Sequence, residues 1–271
     1  MALTDLQRSV CRLLAGNRIA SGESYVAGGA ALNELIAADR VSRDIDVFHD
    51  TEEALQVTWD ADRRLLEAEG FLVHVLRERR AFVEAEVRSG AEAVRMEWAQ
   101  DSAFRFFPLV AHEELGLTLH PFDLATNKVL ALVGRLEVRD WVDVIESDSR
   151  IQPLGFLAFA ACGKDPGFSP ASILEEASRS DRYSTEEVRD LIFGGEPPDA
   201  GDLSRQWRRI LDDANQTVRL LPAEEAGRCV LEPSGSLCRA SPGDLRGSLA
   251  RGGRLIFHSG RIRGALPQIL A

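Results

Sequence analysis

Residues 25–50 read "YVAGGAALNELIAADRVSRDIDVFHD". A short apolar run meets the pair Gly28–Gly29, and fourteen residues then separate Gly29 from Asp44-Ile45-Asp46. Side chains alternate across a strand, so Asp44 and Asp46 share one face while Ile45 and Val47 take the other. Carboxylates beside so apolar a strand are costly unless something offsets their charge. Paired oxygen ligands of this kind suit a hard divalent cation, most naturally Mg²⁺. Glycine lets a backbone approach a phosphate closely, and a helix starting near Ala30 favours an anion at its N-terminus. Together these parts describe a site for a nucleoside triphosphate and two Mg²⁺ ions bridged by shared carboxylates. Alone, Asp-x-Asp is more often a pair of solvated surface groups. The glycine pair, the spacing and Ser42 make the arrangement specific.

Working outward, "SYVAGG" (24–29) predicts a strand into a glycine turn, "AALNELIAA" (30–38) a helix and "SRDIDVFHD" (42–50) a strand. Residues 4–14 form a helix capped by Thr4-x-x-Gln7. Residues 51–70 open with Thr51 and acids and close on Gly70, another helix. Three strands follow over 71–79, 81–90 and 92–99. In the last, Val94, Met96 and Trp98 take the apolar face and leave Arg95 and Glu97 on the other. This order predicts a mixed sheet with helices on one side, of α/β or α+β type. After His120-Pro121 the chain turns helical, with helices over 122–136 and 137–147. "FGGEPPDAG" (193–201) is the strongest internal break. Beyond it come a helix over 202–221 and a Gly-rich end with short β-like pieces. The expected parts are a core over 1–120, a helical region over 121–195 and an extension over 201–271.

The net charge of −11 argues against a general nucleic-acid coat protein. Residues 201–271 carry eleven arginines against seven acids, however, leaving −15 on residues 1–200. This basic tail either meets an RNA or other phosphate-rich partner or is simply a solvated surface. The same alternatives apply to "HSGRIRG" (258–264), a phosphate contact or a β-hairpin edge. Only two lysines, Lys128 and Lys164, stand against thirty arginines. A lysine kept in such a chain suits a compact point charge, although codon usage accounts for the bias equally well. Four scattered cysteines lack metal-ligand spacing and suggest no disulfide framework, so a reduced, cytoplasmic protein is expected. No apolar run reaches the roughly 18 residues of a membrane span, and the N-terminus does not read as a signal peptide.

The stretch "VAGGAALNELIAADRVSRDIDVF" resembles DNA polymerase β-like nucleotidyltransferases. More closely, it resembles the AbiEii-type members found in bacterial abortive-infection and toxin–antitoxin systems. The resemblance rests on Gly29, Leu32, Arg40, Ser42, Asp44, Asp46 and Phe48. A second motif, "NKVLALVGRLEVRDWVDV", supplies Lys128, Arg135, Arg139, Asp140 and Asp143 in the family's order. It covers residues 25–150 well, weakens toward 195 and does not reach 200–271. Many relatives have a hydroxyl residue after the second glycine, where this chain has Ala30.

The resemblance implies an α+β fold: a mixed-sheet, polymerase β-like core, a helical region and a small β-containing C-terminal extension. It implies an Mg²⁺-dependent enzyme that moves a nucleotidyl group from an NTP to a hydroxyl acceptor, a tRNA 3′ end among the candidates. A toxin role with a cognate antitoxin partner follows. A protein or small-molecule acceptor, or a non-catalytic nucleotide-sensing or partner-binding module, is the alternative. Asp44 and Asp46 would hold metal, and Gly28, Gly29 and Ser42 would contact phosphate. Lys128, with Arg135, would meet the triphosphate or brace the site, and Asp140 or Asp143 would complete it. Lys128 and Arg135 lie seven apart on one helix face, so phosphate binding and helix ion pairs both fit. The polymerase β-like pattern also asks for a third carboxylate, as metal ligand and base. Glu97 is the candidate, with Asp101 as fallback; a cross-strand pair between Glu97 and an arginine such as Arg88 is the competing reading.

Overall fold

A computed structural model describes residues 2–180 and 182–269. The chain divides into two compact units. The first comprises residues up to Ala103, Leu109–His120 and Ile192–Gly195, and the second Phe104–Pro108, Pro121–Leu191 and residues from Glu196 on.

The first unit opens with α1 (Asp5–Ser21), whose Thr4 and Gln7 form the expected capping box. Then come β1 (Ser24–Ala27), α2 (Gly28–Leu35), β2 (Arg40–Val41), β3 (Asp44–His49) and α3 (Glu52–Ala68). A meander of β4 (Leu72–Arg79), β5 (Phe82–Ser89) and β6 (Glu92–Gln100) follows. After β7 (Phe104–Arg105), which belongs to the second unit, β8 (Val110–His112) and β9 (Gly116–Thr118) complete a seven-stranded sheet of order β4-β5-β6-β3-β1-β9-β8. It is mixed: β3/β6 and β1/β9 run parallel, the other pairs antiparallel.

Alternation decides which sheet face is covered. Ile45, Val47, Val83, Ala85, Val87, Val94, Met96 and Trp98 are buried, and Trp98 packs against Trp59 of α3 in a tilted pair with ring centroids 4.7 Å apart. The Trp98 indole N–H donates to Asp62 of α3 at 3.0 Å, which satisfies the polar edge of an otherwise apolar contact. Asp44, Asp46, Glu97 and Arg95 lie on the opposite, open face.

Two local differences from the sequence reading matter. The helix expected at 30–38 begins at Gly28, so the glycine pair forms its first turn rather than a preceding loop. Gly28 takes φ +64°, which turns the strand directly into the helix. The three-residue strands β8 and β9 were not foreseen, being too short to show any periodicity.

The second unit contains α4 (Pro121–Arg135), α5 (Val138–Arg150), α6 (Leu154–Ala161), α7 (Pro170–Ala177) and α8 (Thr185–Arg189). The strand β10 (Ile192–Phe193) returns to the first unit to pair with β2. The chain then continues through α9 (Ala200–Leu220), β11 (Arg228–Leu231), α10 (Pro242–Ala250), β12 (Ile256–Ser259) and β13 (Arg261–Ile262). Residues 201–271, set apart in the sequence reading, share a core with α6: Phe156 and Phe159 pack with Leu221, Val230, Cys238 and Leu245. In the tail, β12 pairs with β11 and β13 with β7, so "HSGRIRG" spans two separate pairings instead of one hairpin. Among the described residues, no helix is long and apolar enough to cross a membrane.

Candidate active site

In β3, Ile45, Val47 and His49 are buried while Asp44, Asp46 and Phe48 are half-buried, so the two aspartates share the open face. The parallel neighbour β6 places Arg95 in register with Asp44 and Glu97 in register with Asp46. On its other side, Asp46 is in register with Ala27, the residue before the glycine pair. Asp46, Glu97 and the turn into α2 therefore meet along one row.

Gly28 closes that row. A β-carbon built there would fall 1.6 Å from Asp46 Oδ2 and 2.7 Å from its carboxyl carbon. The carboxylate thus lies directly against the glycine α-carbon, at the N-terminal end of α2. Ala27 offers this helix no side-chain cap, and a negative charge near such an end is favourable. The arrangement needs both properties of glycine, a positive φ and no side chain.

Ser42 precedes β3, and its backbone carbonyl accepts a hydrogen bond from Gln7 Nε2 at 2.8 Å; Arg43 O accepts a longer one at 3.3 Å. Gln7 thus ties α1 to the segment that launches the Asp-x-Asp strand. The sequence marked it only as a capping residue. Asp101 lies past the end of β6, and its carboxylate accepts from Ser102 N at 2.7 Å. Glu97, not Asp101, joins the Asp46 row.

The competing ion pair for Glu97 takes another form. Arg88 bonds Glu86 at 2.5 Å, while Arg95 Nε lies 4.0 Å from Glu97. Arg95 also makes an ion pair with Glu84 of β5, a carboxylate only 4% exposed. Glu84 was overlooked, although the alternation of "FVEAEVRS" already puts Glu84 and Glu86 on one face.

The second motif forms a buried network in the helical unit. Lys128 Nζ lies 2.9 Å from both Asp140 Oδ1 and Asp143 Oδ2. Arg135 Nε and Nη2 donate to Asp140 Oδ2 and Oδ1 at 2.6 and 2.9 Å. Burial pushes the Asp140 carboxyl up, but Arg135 and Lys128 outweigh it and hold the group below its ordinary value. Arg139 pairs with Glu137 at 2.6 Å, not with Asp143. The ammonium of Lys128 is matched by two carboxylates of its own unit. Lys164 is similarly held, 2.9 Å from buried Asp123. Both lysines of the chain act as paired point charges, Lys128 buried and Lys164 half-buried.

Among the described residues, no three His, Cys, Asp or Glu side chains converge as a ready ligand cluster. The Asp44/Asp46 pair nevertheless fits Mg²⁺, which is commonly held by one or two carboxylates together with substrate phosphates and water.

No family model matches the chain, and no curated protein does so. Solved structures do share its architecture. MenT4, a nucleotidyltransferase toxin from Mycobacterium tuberculosis H37Rv, aligns at TM-score 0.53 and 16% identity, over 81% of this chain and 85% of its own. A candidate nucleotidyltransferase from H. pylori aligns at TM-score 0.52 and 14% identity, over 80% of this chain and 96% of its own. The chain has the nucleotidyltransferase fold. JHP933 from Helicobacter pylori aligns similarly, at TM-score 0.51 and 14% identity, over 80% and 95% of the two chains. In this nucleotidyltransferase fold, the sheet brings Asp44, Asp46, Glu97 and Gly28 together in the first unit, while Lys128, Arg135, Asp140 and Asp143 are brought together in the second.

Proposed function

We propose that the protein is an Mg²⁺-dependent nucleotidyltransferase. The observation that carries this reading is the row on the open sheet face, with Asp46 flanked by Glu97 and seated on Gly28, within a nucleotidyltransferase fold. Asp44 and Asp46 would hold the metal, which would neutralise phosphate charge and orient the triphosphate. Gly28, Gly29 and the N-terminus of α2 would receive phosphate oxygens through backbone N–H groups. Glu97 would take the proton of the acceptor hydroxyl. The hydroxyl oxygen bonds to the α-phosphorus as the bond to pyrophosphate breaks, so catalysis is mainly positioning and charge stabilisation. Lys128, Arg135, Asp140 and Asp143 would brace the helical unit.

The acceptor we favour is a tRNA 3′ end, and the biological role a toxin restrained by a cognate antitoxin in the cytoplasm. This rests on the sequence resemblance and on MenT4 being a nucleotidyltransferase toxin. The test is to incubate the purified protein with Mg²⁺, labelled NTPs and either total tRNA or total protein. Label on tRNA that disappears in Asp46→Asn supports the reading. Label on protein instead would reassign the acceptor, and no transfer from any NTP would refute the enzyme.

A further inference from the structure

The site row contains a residue without an assigned role. The open face of the sheet carries Asp44, Asp46 and Glu97, joined by Glu84 in register with Glu97 on β5. A triphosphate approaching so many carboxylates needs compensating positive charge beyond the metal. Lys128 is already matched within its own unit by Asp140 and Asp143. On the sheet face itself, Arg95 stands in register with Asp44, and its side chain is 52% exposed.

Glu84 is the second observation. It is almost fully buried, and its contacts are to arginines: an ion pair with Arg95, and Arg77 Nε at 3.9 Å. A buried carboxylate gains little net stability from its partner compared with a well-packed apolar residue. Its neighbours on β5, Val83 and Ala85, face the covered side of the sheet, so Glu84 is a carboxylate buried on the open face. Its ion pair holds one side of the Arg95 guanidinium, whose Nε lies 4.0 Å from Glu97. An arginine presents five donors in a planar fork, and a carboxylate on one side leaves others for a phosphate. The other arginines of this face are less well placed: Arg88 pairs with Glu86, and Arg77 stands on β4, two strands further from β3 than Arg95.

We propose that Arg95 binds a phosphate of the nucleoside triphosphate, and that Glu84 is the positioning residue that aims it. The inference rests on the nucleotidyltransferase reading and adds a ligand contact to it. Removing Arg95 alone would strand Glu84, so stability and binding have to be separated. The test measures equilibrium binding of non-transferable α,β-methylene NTP analogues to the full-length protein, with and without Mg²⁺, beside thermal unfolding. Arg95→Ala should unfold at a lower temperature and bind the analogue more weakly. The double variant Glu84→Gln/Arg95→Ala should recover thermal stability yet still bind roughly 10-fold or more weakly, the worth of a lost charge-assisted bond. Glu84→Gln alone should weaken binding several-fold without lowering the unfolding temperature, and Arg95→Lys should recover only part of the affinity. In all of these Mg²⁺ should still strengthen binding, whereas Asp46→Asn should abolish that effect. Wild-type affinity in the double variant would overturn the proposal and leave Arg95 as no more than the partner of Glu84. Failure of wild type to bind any analogue would overturn the nucleotidyltransferase reading itself.

Discussion

Gly28→Ala tests the geometry of the site most directly. The substitution meets two separate obstacles. At φ +64° an L-residue is in the left-handed region, which costs about 1–2 kcal/mol. The new β-carbon would also stand 1.6 Å from Asp46 Oδ2, where ordinary contacts begin at 3.4 Å and real ones almost never fall below 3.0 Å. The carboxylate must therefore retreat by about 1.4–1.8 Å. Overpacking of this kind typically adds about 1–3 kcal/mol. Gly90 is the matched control, because it has φ +59°, a β-carbon added to it would meet nothing within 4 Å, and it lies in the β5–β6 turn of the same sheet. Gly90→Ala should show the backbone cost alone. Gly28→Ala should be destabilised by about 2–5 kcal/mol, and each kcal/mol corresponds to about 2–4 °C in a domain of this size. A displacement of about 1 Å in a reacting group can cost 10²-fold, so nucleotidyl transfer should fall at least that far. Gly90→Ala should keep its activity. Adding Asp46→Ala to Gly28→Ala removes the two closest atoms and should return part of the lost stability but none of the activity. The assays are thermal or urea unfolding and labelled-NTP transfer. Equal behaviour of Gly28→Ala and Gly90→Ala in both assays would show that the Asp46 carboxylate does not rest on Gly28.

Three further outcomes are expected. Lys128→Met leaves Asp140 and Asp143 buried without the ammonium 2.9 Å from each, and should cost about 3–5 kcal/mol in urea unfolding; wild-type stability would show that the lysine is not their counter-ion. His49 is buried, with Nδ1 facing Ala99 O at 3.3 Å and Nε2 2.6 Å from the Thr58 hydroxyl, and burial lowers its pKa from 6.5 to about 4. The neutral ring's contribution, about 3 kcal/mol, is complete above pH 6.5 and is lost as pH falls toward 4; the wild-type stability curve should be steeper there than that of His49→Gln. Burial pushes the thiols of Cys11 and Cys238 up to about 11 and 12 and that of Cys229 well above its ordinary value. Thiol reagents at neutral pH should therefore spare these three until the protein unfolds, and rapid modification of any of them in the native state would contradict the burial.

Much of the first unit was legible because its signals are local. The three meander strands, observed at 72–79, 82–89 and 92–100, fall within a residue or so of expectation, since period-two alternation survives in any half-covered sheet. The same alternation put Asp44 and Asp46 on one face and Glu97 with Arg95 on another strand. It could not say which strands adjoin, and the third carboxylate therefore stayed open among Glu97, Asp101 and the Asp140/Asp143 pair. Short strands such as β8 and β9 have too few residues to carry a pattern. The partnership of Gln7 with Ser42 O spans thirty-five positions and leaves no local trace.

The chain by itself determined the alternation, the glycine pair at the end of a strand and the presence of just two lysines. Those properties depend on neighbouring residues, and they suffice to propose a metal and a nucleotide. Tertiary structure alone decided the partners. Parallel pairing of β3 with β6 set Glu97 beside Asp46, and the turn at Gly28 brought an α-carbon under the same carboxylate. It also placed Lys128 between Asp140 and Asp143 and tied Arg95 to Glu84. The physical reason is that a charge's role depends on which opposite charge lies within a few ångströms and how much water is excluded between them. Sequence spacing fixes neither across separate strands and helices.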